Sequence, residues 1–210
     1  MANLITGGRL VLLFVTIVLI YTRSYPIVVW CTLLIAIIFA SDGLDGFVAR
    51  RRKSTSEFGA IIDIAGDRVV ENALWIVFAQ LGLIGVWAPL LVLTRGFFVD
   101  AMRGMGYSAG KTAFGENTMM RTPLSQFISA SRFMRGFYGI AKALGFVFLT
   151  SLFASKLGPM HMFGTFYAHD SVRVVGWFLV YSALALTVIR GVPVLVDAMY
   201  YVRQSEKISK

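Results

Sequence analysis

Ser41-Asp42-Gly43-Leu44-Asp45-Gly46-Phe47-Val48-Ala49-Arg50 is followed, eight residues later, by Gly59-Ala60-Ile61-Ile62-Asp63-Ile64-Ala65-Gly66-Asp67. Four aspartates thus interrupt a sequence that otherwise reads as membrane. Carboxylates at bilayer depth are costly, so an intramembrane acidic cluster marks a functional site by default. The spacing is helical, with Asp42 and Asp45 three residues apart and Asp63 and Asp67 four apart. Each pair therefore shares one helix face.

The flanking composition supports an all-α integral membrane protein of one domain, residues 1–210. Apolar residues make up 57% of the chain and aromatics 14%, with a mean hydropathy of +0.73. Charged residues are only 15%, against about 25% in soluble domains. The net charge of +9 could point to nucleic acid, but most basic residues flank apolar spans instead of forming a soluble basic face. It reads as topological bias and attraction to anionic lipid or phosphate ligands. The single Cys31 lies in an apolar run and supports neither a disulfide framework nor a thiolate metal site.

A helix needs about 20 apolar residues to cross the hydrocarbon core. Six segments qualify, at about residues 8–22, 26–50, 57–83, 86–103, 130–155 and 172–200. The first lacks a small-x-small cleavage pattern and is followed by another apolar run, so an uncleaved first helix is expected. With the N-terminus inside, the cytoplasmic side receives Arg50-Arg51-Arg52-Lys53, Arg103, Lys111, Arg121, Arg203, Lys207 and Lys210. The opposite side receives Arg23, Lys156 and Arg173. By the positive-inside rule both termini and the acidic motif face the cytoplasm.

Asp42 and Asp45 end the second span and Asp63 and Asp67 open the third, across a short connection. The two helices should then be antiparallel neighbours, with both pairs facing at one depth. Ser54-x-x-Glu57 has the capping-box spacing for the start of the third. Four facing carboxylates need compensation, and oxygen-only donors suit Mg²⁺ or Mn²⁺ better than zinc. One or two such ions can clamp a diphosphate and orient an attacking hydroxyl. Gly43, Gly46 and Gly59 let a nucleotide approach the backbone, and Arg50 is placed to pair with phosphate oxygens. Helix packing or an orientation signal could explain one glycine or Arg50 alone, but neither explains four aspartates.

The pattern Asp42-x2-Asp45-Gly46-x2-Ala49-Arg50-x8-Gly59-x3-Asp63-x3-Asp67 resembles the complete signature of the CDP-alcohol phosphotransferases, with every fixed position present. The resemblance implies displacement of CMP from a CDP-linked lipid, usually CDP-diacylglycerol, by the hydroxyl of a polar alcohol, giving a phospholipid. It implies that Asp42, Asp45 and Asp63 ligand the metal, with Asp67 a metal neighbour and general base. Gly46, Ala49 and Gly59 would line the cytidine pocket, and Arg50 would bind the diphosphate. A homodimer in a bacterial-type inner or plasma membrane is also implied.

The acceptor is less legible. Arg132, Arg135 and Lys142 share a face of the fifth span, and Arg95 lies within the fourth. Such cations suit a phosphorylated acceptor, although Arg132 and Arg135 could equally snorkel to the interface. Arg95 and Lys142 sit deeper and read as functional. The opening Asn3-Leu-Ile-Thr6-x2-Arg9 is similar to the start of many phosphatidylglycerophosphate synthases. Those commonly carry Leu-Asp-Pro where this chain has Ile62-Asp63-Ile64. Glycerol 3-phosphate is the first expectation and inositol phosphate the second.

Arg190 and Asp197 share a face of the sixth span around Pro193 and suggest a structural or subunit-interface role. Gly110-Lys-Thr112 lacks the full P-loop spacing, and His161 and His169 receive no catalytic role. The competing class is a divalent-cation transporter or channel. It would distribute acidic residues through the membrane depth or repeat them in symmetric halves, whereas these cluster once.

Overall fold

The computed structural model describes residues 2–52, 57–108, 120 and 122–208, and no strand occurs among them. Helix α1 (Ala2–Tyr21) contains no proline and a single charge, Arg9. It stops where Arg23 turns left-handed, with φ 51°. Pro26 then sits in the first turn of α2 (Tyr25–Arg52), where a missing N–H leaves no bond unmade. Helix α3 (Glu57–Gln80) ends in a Schellman motif. There Leu83 N–H donates to Phe78 O and Gly82 N–H to Ala79 O, each at 3.0 Å. Gly82 takes the left-handed conformation, φ 69°, that this ending requires.

Helix α4 spans Trp87–Ser108 and continues past the expected end at 103. Gly104 and Gly106 each cost a helix only about 1 kcal/mol, which its apolar face outweighs. A single turn, α5 (Pro123–Ser125), is capped by Thr122, whose hydroxyl accepts from Ser125 N–H at 3.1 Å. It runs into a π-helical turn, Gln126–Ala130. Ser131 Oγ then accepts from Met134 N–H at 3.2 Å and starts α6 (Arg132–Leu157). A short α7 (Met162–Phe166) precedes α8 (Asp170–Ile208), which stays helical through Pro193. At 1.5 Å per residue α8 is about 58 Å long, roughly twice a hydrocarbon core.

Among the described residues, Pro123–Leu157 and Asp170–Met199 are long and apolar enough to cross a membrane. Thr6–Tyr21 and Tyr25–Ser41 are shorter apolar helical stretches. The proposed capping box at Ser54 and the Gly110-Lys-Thr112 segment lie outside the described residues.

The chain packs as two compact units. Unit 2, Leu90–Ala141 with Tyr181–Lys210, buries Val99, Met120 and Val194 together, and Tyr138 and Ala141 with Ala183 and Leu186. Arg190, 7% exposed, is held there by backbone. Its Nε donates to Ile128 O and its Nη2 to Ser129 O, both at 3.3 Å. Ser129 Oγ returns a bond to Arg190 O at 3.1 Å, and the guanidinium lies 5.0 Å over the Tyr138 ring. A π-helical turn leaves carbonyls without their usual α-helical donors, and Arg190 satisfies two of them. The structural role expected for this residue has that physical form.

Unit 1, Met1–Pro89 with Lys142–Val180, packs α1 against both α2 and α3. Phe146 of α6 stands at its centre, with ring centroids 5.4 Å from Phe39, 4.8 Å from Trp75 and 6.0 Å from Phe78. A Cβ on Gly176 of α8 would run into the Phe148 ring, so this α6–α8 contact requires glycine.

An ion pair joins α6 to α3 within this apolar unit. Lys142 Nζ donates to Glu71 Oε2 at 2.9 Å, with side-chain exposures of 14% and 4%. Arg68 Nη1 lies 3.9 Å from the same oxygen. Removing one member of a buried pair costs about 3–5 kcal/mol because the partner's charge stays behind. Arg68 offsets part of this, so Lys142→Met should lose about 3 kcal/mol in unfolding of the detergent-solubilised protein. Lys142→Met combined with Glu71→Gln should recover most of that loss.

Candidate active site on helix α3

Gly59, Asp63, Asp67 and Glu71 follow one another at four-residue steps along α3 and so lie on one stripe. Exposure changes along it. The Asp63 and Asp67 side chains are each 47% exposed, whereas Glu71 is 4% exposed and committed to Lys142. The stripe therefore passes from an open carboxylate pair into the interior within one turn.

The pair is gripped from behind by α1. Arg9 Nη2 donates to Asp67 Oδ1 at 2.6 Å and lies 3.9 Å from Asp63 Oδ1. One turn earlier, Thr6 Oγ1 approaches Asp63 Oδ1 at 3.5 Å. The Arg9 side chain is only 3% exposed. Gly66 sits at the crossing of the two helices. A Cβ there would lie 2.7 Å from Thr6 Cγ2 and 3.5 Å from Arg9 Nη2, so absence of a side chain sets how closely α1 can approach.

Asp42, Gly43, Asp45, Gly46, Ala49 and Arg50 all lie in the last turns of α2; their side chains lie outside the described residues. Among the described residues no three His, Cys, Asp or Glu side chains converge on one point. Asp63 and Asp67 nevertheless direct an oxygen each toward one shared cation, Arg9. Paired carboxylate oxygens of this kind fit a hard divalent ion.

Of the expected acceptor cations, Lys142 belongs to unit 1 with Asp63 and Asp67, and bonds Glu71. Arg95, Arg132 and Arg135 belong to unit 2. Arg95 lies along Gly191 of α8, where an added Cβ would be 2.8 Å from Arg95 Nε and 2.9 Å from its Cγ. Arg103 and Arg190 belong to the same unit. The Arg132 side chain lies outside the described residues.

Sequence reasoning had not assigned two residues to the site. Glu71 extends the four-residue spacing of Asp63 and Asp67 by one step, a signal present in the sequence. Arg9 was noted as part of an opening motif, but nothing local joins it to residues 54 and 58 positions away.

A family model described as CDP-alcohol phosphatidyltransferase matches residues 1–189. A "Probable phosphatidylglycerophosphate synthase" of Mycobacterium tuberculosis strain H37Rv is 30% identical over 108 residues, 49% of this chain and 51% of that protein. The CDP-diacylglycerol--glycerol-3-phosphate 3-phosphatidyltransferase of Bacillus subtilis strain 168 is 28% identical over 71 residues, covering 34% of this chain and 37% of that one. The protein of that name from Yersinia pestis strain Pestoides F is 41% identical over 56 residues, 25% of this chain and 31% of its own. The chain spans about half the length of the curated relatives it matches, or less. With the family model extending over nearly all its residues, the chain belongs to the CDP-alcohol phosphatidyltransferase family.

Proposed function

We propose that this protein moves the phosphatidyl group of CDP-diacylglycerol to glycerol 3-phosphate and releases CMP. The carrying observation is the half-exposed Asp63–Asp67 pair, anchored by a buried guanidinium within the family's signature. In this reaction the acceptor hydroxyl attacks the phosphorus that bears the diacylglycerol. The new O–P bond forms as the bond to CMP breaks, and that electron pair leaves on the CMP phosphate. The hydroxyl proton goes to Asp67, a general base within the carboxylate pair. Asp42, Asp45, Asp63 and Asp67 would hold Mg²⁺ or Mn²⁺, which supplies charge stabilisation on the diphosphate. Gly43, Gly46, Ala49, Gly59 and Arg50 would receive the CDP moiety.

Two observations support a phosphorylated acceptor. Arg95, Arg103, Arg135 and Arg190 all fall in unit 2. Helix α6 begins with Arg132 and Arg135 in its first turn, where the helix dipole also favours an anion. Relatives whose names specify glycerol 3-phosphate add to this reading. A six-span arrangement in a bacterial-type inner membrane, with cytoplasmic site and termini, completes the proposal, together with a homodimer.

The decisive measurement is CMP release by purified protein in detergent with CDP-diacylglycerol and a divalent metal. Glycerol 3-phosphate, inositol phosphate and serine are supplied separately. Turnover with glycerol 3-phosphate is expected; turnover confined to another acceptor would replace that part of the proposal. Asp67→Asn should lower kcat by about 10²–10⁴-fold with little change in the KM for CDP-diacylglycerol. A fully active Asp67→Asn protein would remove the base assignment. Chelating the divalent metal should stop CMP release, and Mg²⁺ or Mn²⁺ should restore it. Arg95→Met should raise the KM for glycerol 3-phosphate by about 10–100-fold, the loss of one charged hydrogen bond, without affecting the KM for CDP-diacylglycerol.

A further inference from the structure

We infer that Arg9 is a positioning residue that works through Asp67, raising turnover while weakening metal binding at the same carboxylates. It is the single charge in α1, and its side chain is 3% exposed. A buried guanidinium needs a fixed partner, and this one reaches Asp67 Oδ1 at 2.6 Å and Asp63 Oδ1 at 3.9 Å.

The exposure of the partners separates this arrangement from a simple structural pin. A pin is enclosed on both sides. Here the cation is enclosed, whereas each carboxylate stays 47% exposed. Arg9 thus holds one oxygen of Asp67 from the protein side and fixes the direction in which the carboxylate faces the opening. Gly66, which admits Thr6 and Arg9 to this close crossing, makes the grip part of how α1 and α3 pack.

Two opposing consequences follow. Fixed orientation favours proton transfer from an acceptor hydroxyl, because small misplacements of a catalytic group are costly. A permanent positive charge within hydrogen-bonding distance of Asp67 also repels any metal ion bound to the same pair. Arg9 therefore trades metal affinity for orientation. The turnover consequence rests on the proposed role of Asp67 as base, whereas the metal-affinity consequence rests only on carboxylate geometry.

Purified Arg9→Gln keeps a donor and removes the charge. It leaves the aspartates half-exposed instead of stranding them in the interior, so folding should survive. Mn²⁺ affinity, measured by electron paramagnetic resonance or calorimetry in detergent, should rise about tenfold. In the same protein kcat for CMP release should fall about tenfold, while the KM for CDP-diacylglycerol changes less than about twofold. Arg9→Lys keeps the charge without the planar fork. It should bind Mn²⁺ as the parent protein does, with kcat several-fold lower.

Weaker Mn²⁺ binding in Arg9→Gln, together with lost turnover and a lower Tm, would reduce Arg9 to a structural pin and overturn the inference. Unchanged Mn²⁺ affinity, unchanged kcat, or a parent protein that binds no Mn²⁺ would overturn it as well. A parent protein that binds Mn²⁺ yet releases no CMP with any acceptor would refute the proposed reaction instead. The metal-affinity comparison would then still decide the electrostatic half of the inference, and the turnover half would fall with the reaction.

Discussion

The constraint on which this structure depends is that charge carried into an apolar interior must be met by a fixed polar partner. Helix α1 brings one charge, Arg9, and α3 brings Asp63, Asp67 and Glu71 along one stripe. The chain meets Arg9 with Asp67 and Asp63, and Glu71 with Lys142. Because these partners lie on different helices, electrostatic compensation and helix packing are the same event. The Phe146 cluster supplies apolar burial around it. Gly66 sets the distance at which α1 and α3 can satisfy the first of the two pairs.

The two pairs differ in a way that assigns them different work. Glu71 and Lys142 are both largely buried, so their charges are spent on each other and on joining α3 to α6. Arg9 is buried while its carboxylate partners remain half-open, which leaves surface on Asp63 and Asp67 for a ligand. One turn of helix separates an enclosed ion pair from one whose carboxylates are half-exposed. Acidic side chains at a regular four-residue spacing need not share a role, because exposure changes along the stripe.

Much of this was legible in the sequence, and the rest was hidden for identifiable reasons. The break at Arg23-Ser-Tyr-Pro26 gave the junction of α1 and α2, and the apolar run gave the end of α3 to within three residues, whereas α1 begins at Ala2, six residues before the expected span. Spacing alone put Asp63 and Asp67 on one face. Helices α4 and α8 run past the expected spans, to Ser108 and Ile208, because a helix can continue beyond the segment apolar enough to cross a membrane. The π-helical turn at Gln126–Ala130 has no local signature here; it depends on donors from Arg190, 62 residues away in sequence for Ile128. Arg9 was hidden for the same reason. Its environment is built by α3, and no window along α1 contains it.

Lys142 and Arg190 show how cations within apolar helices are engaged by the protein itself. A basic residue at depth needs a partner, but that partner can be protein. Glu71 engages Lys142, and the carbonyls of Ile128 and Ser129 engage Arg190. Arg95 is positioned by shape: its side chain lies along Gly191, where a larger residue would displace it. A buried cation thus reports first on the packing that holds it, and a role toward a substrate has to be argued from more than its depth.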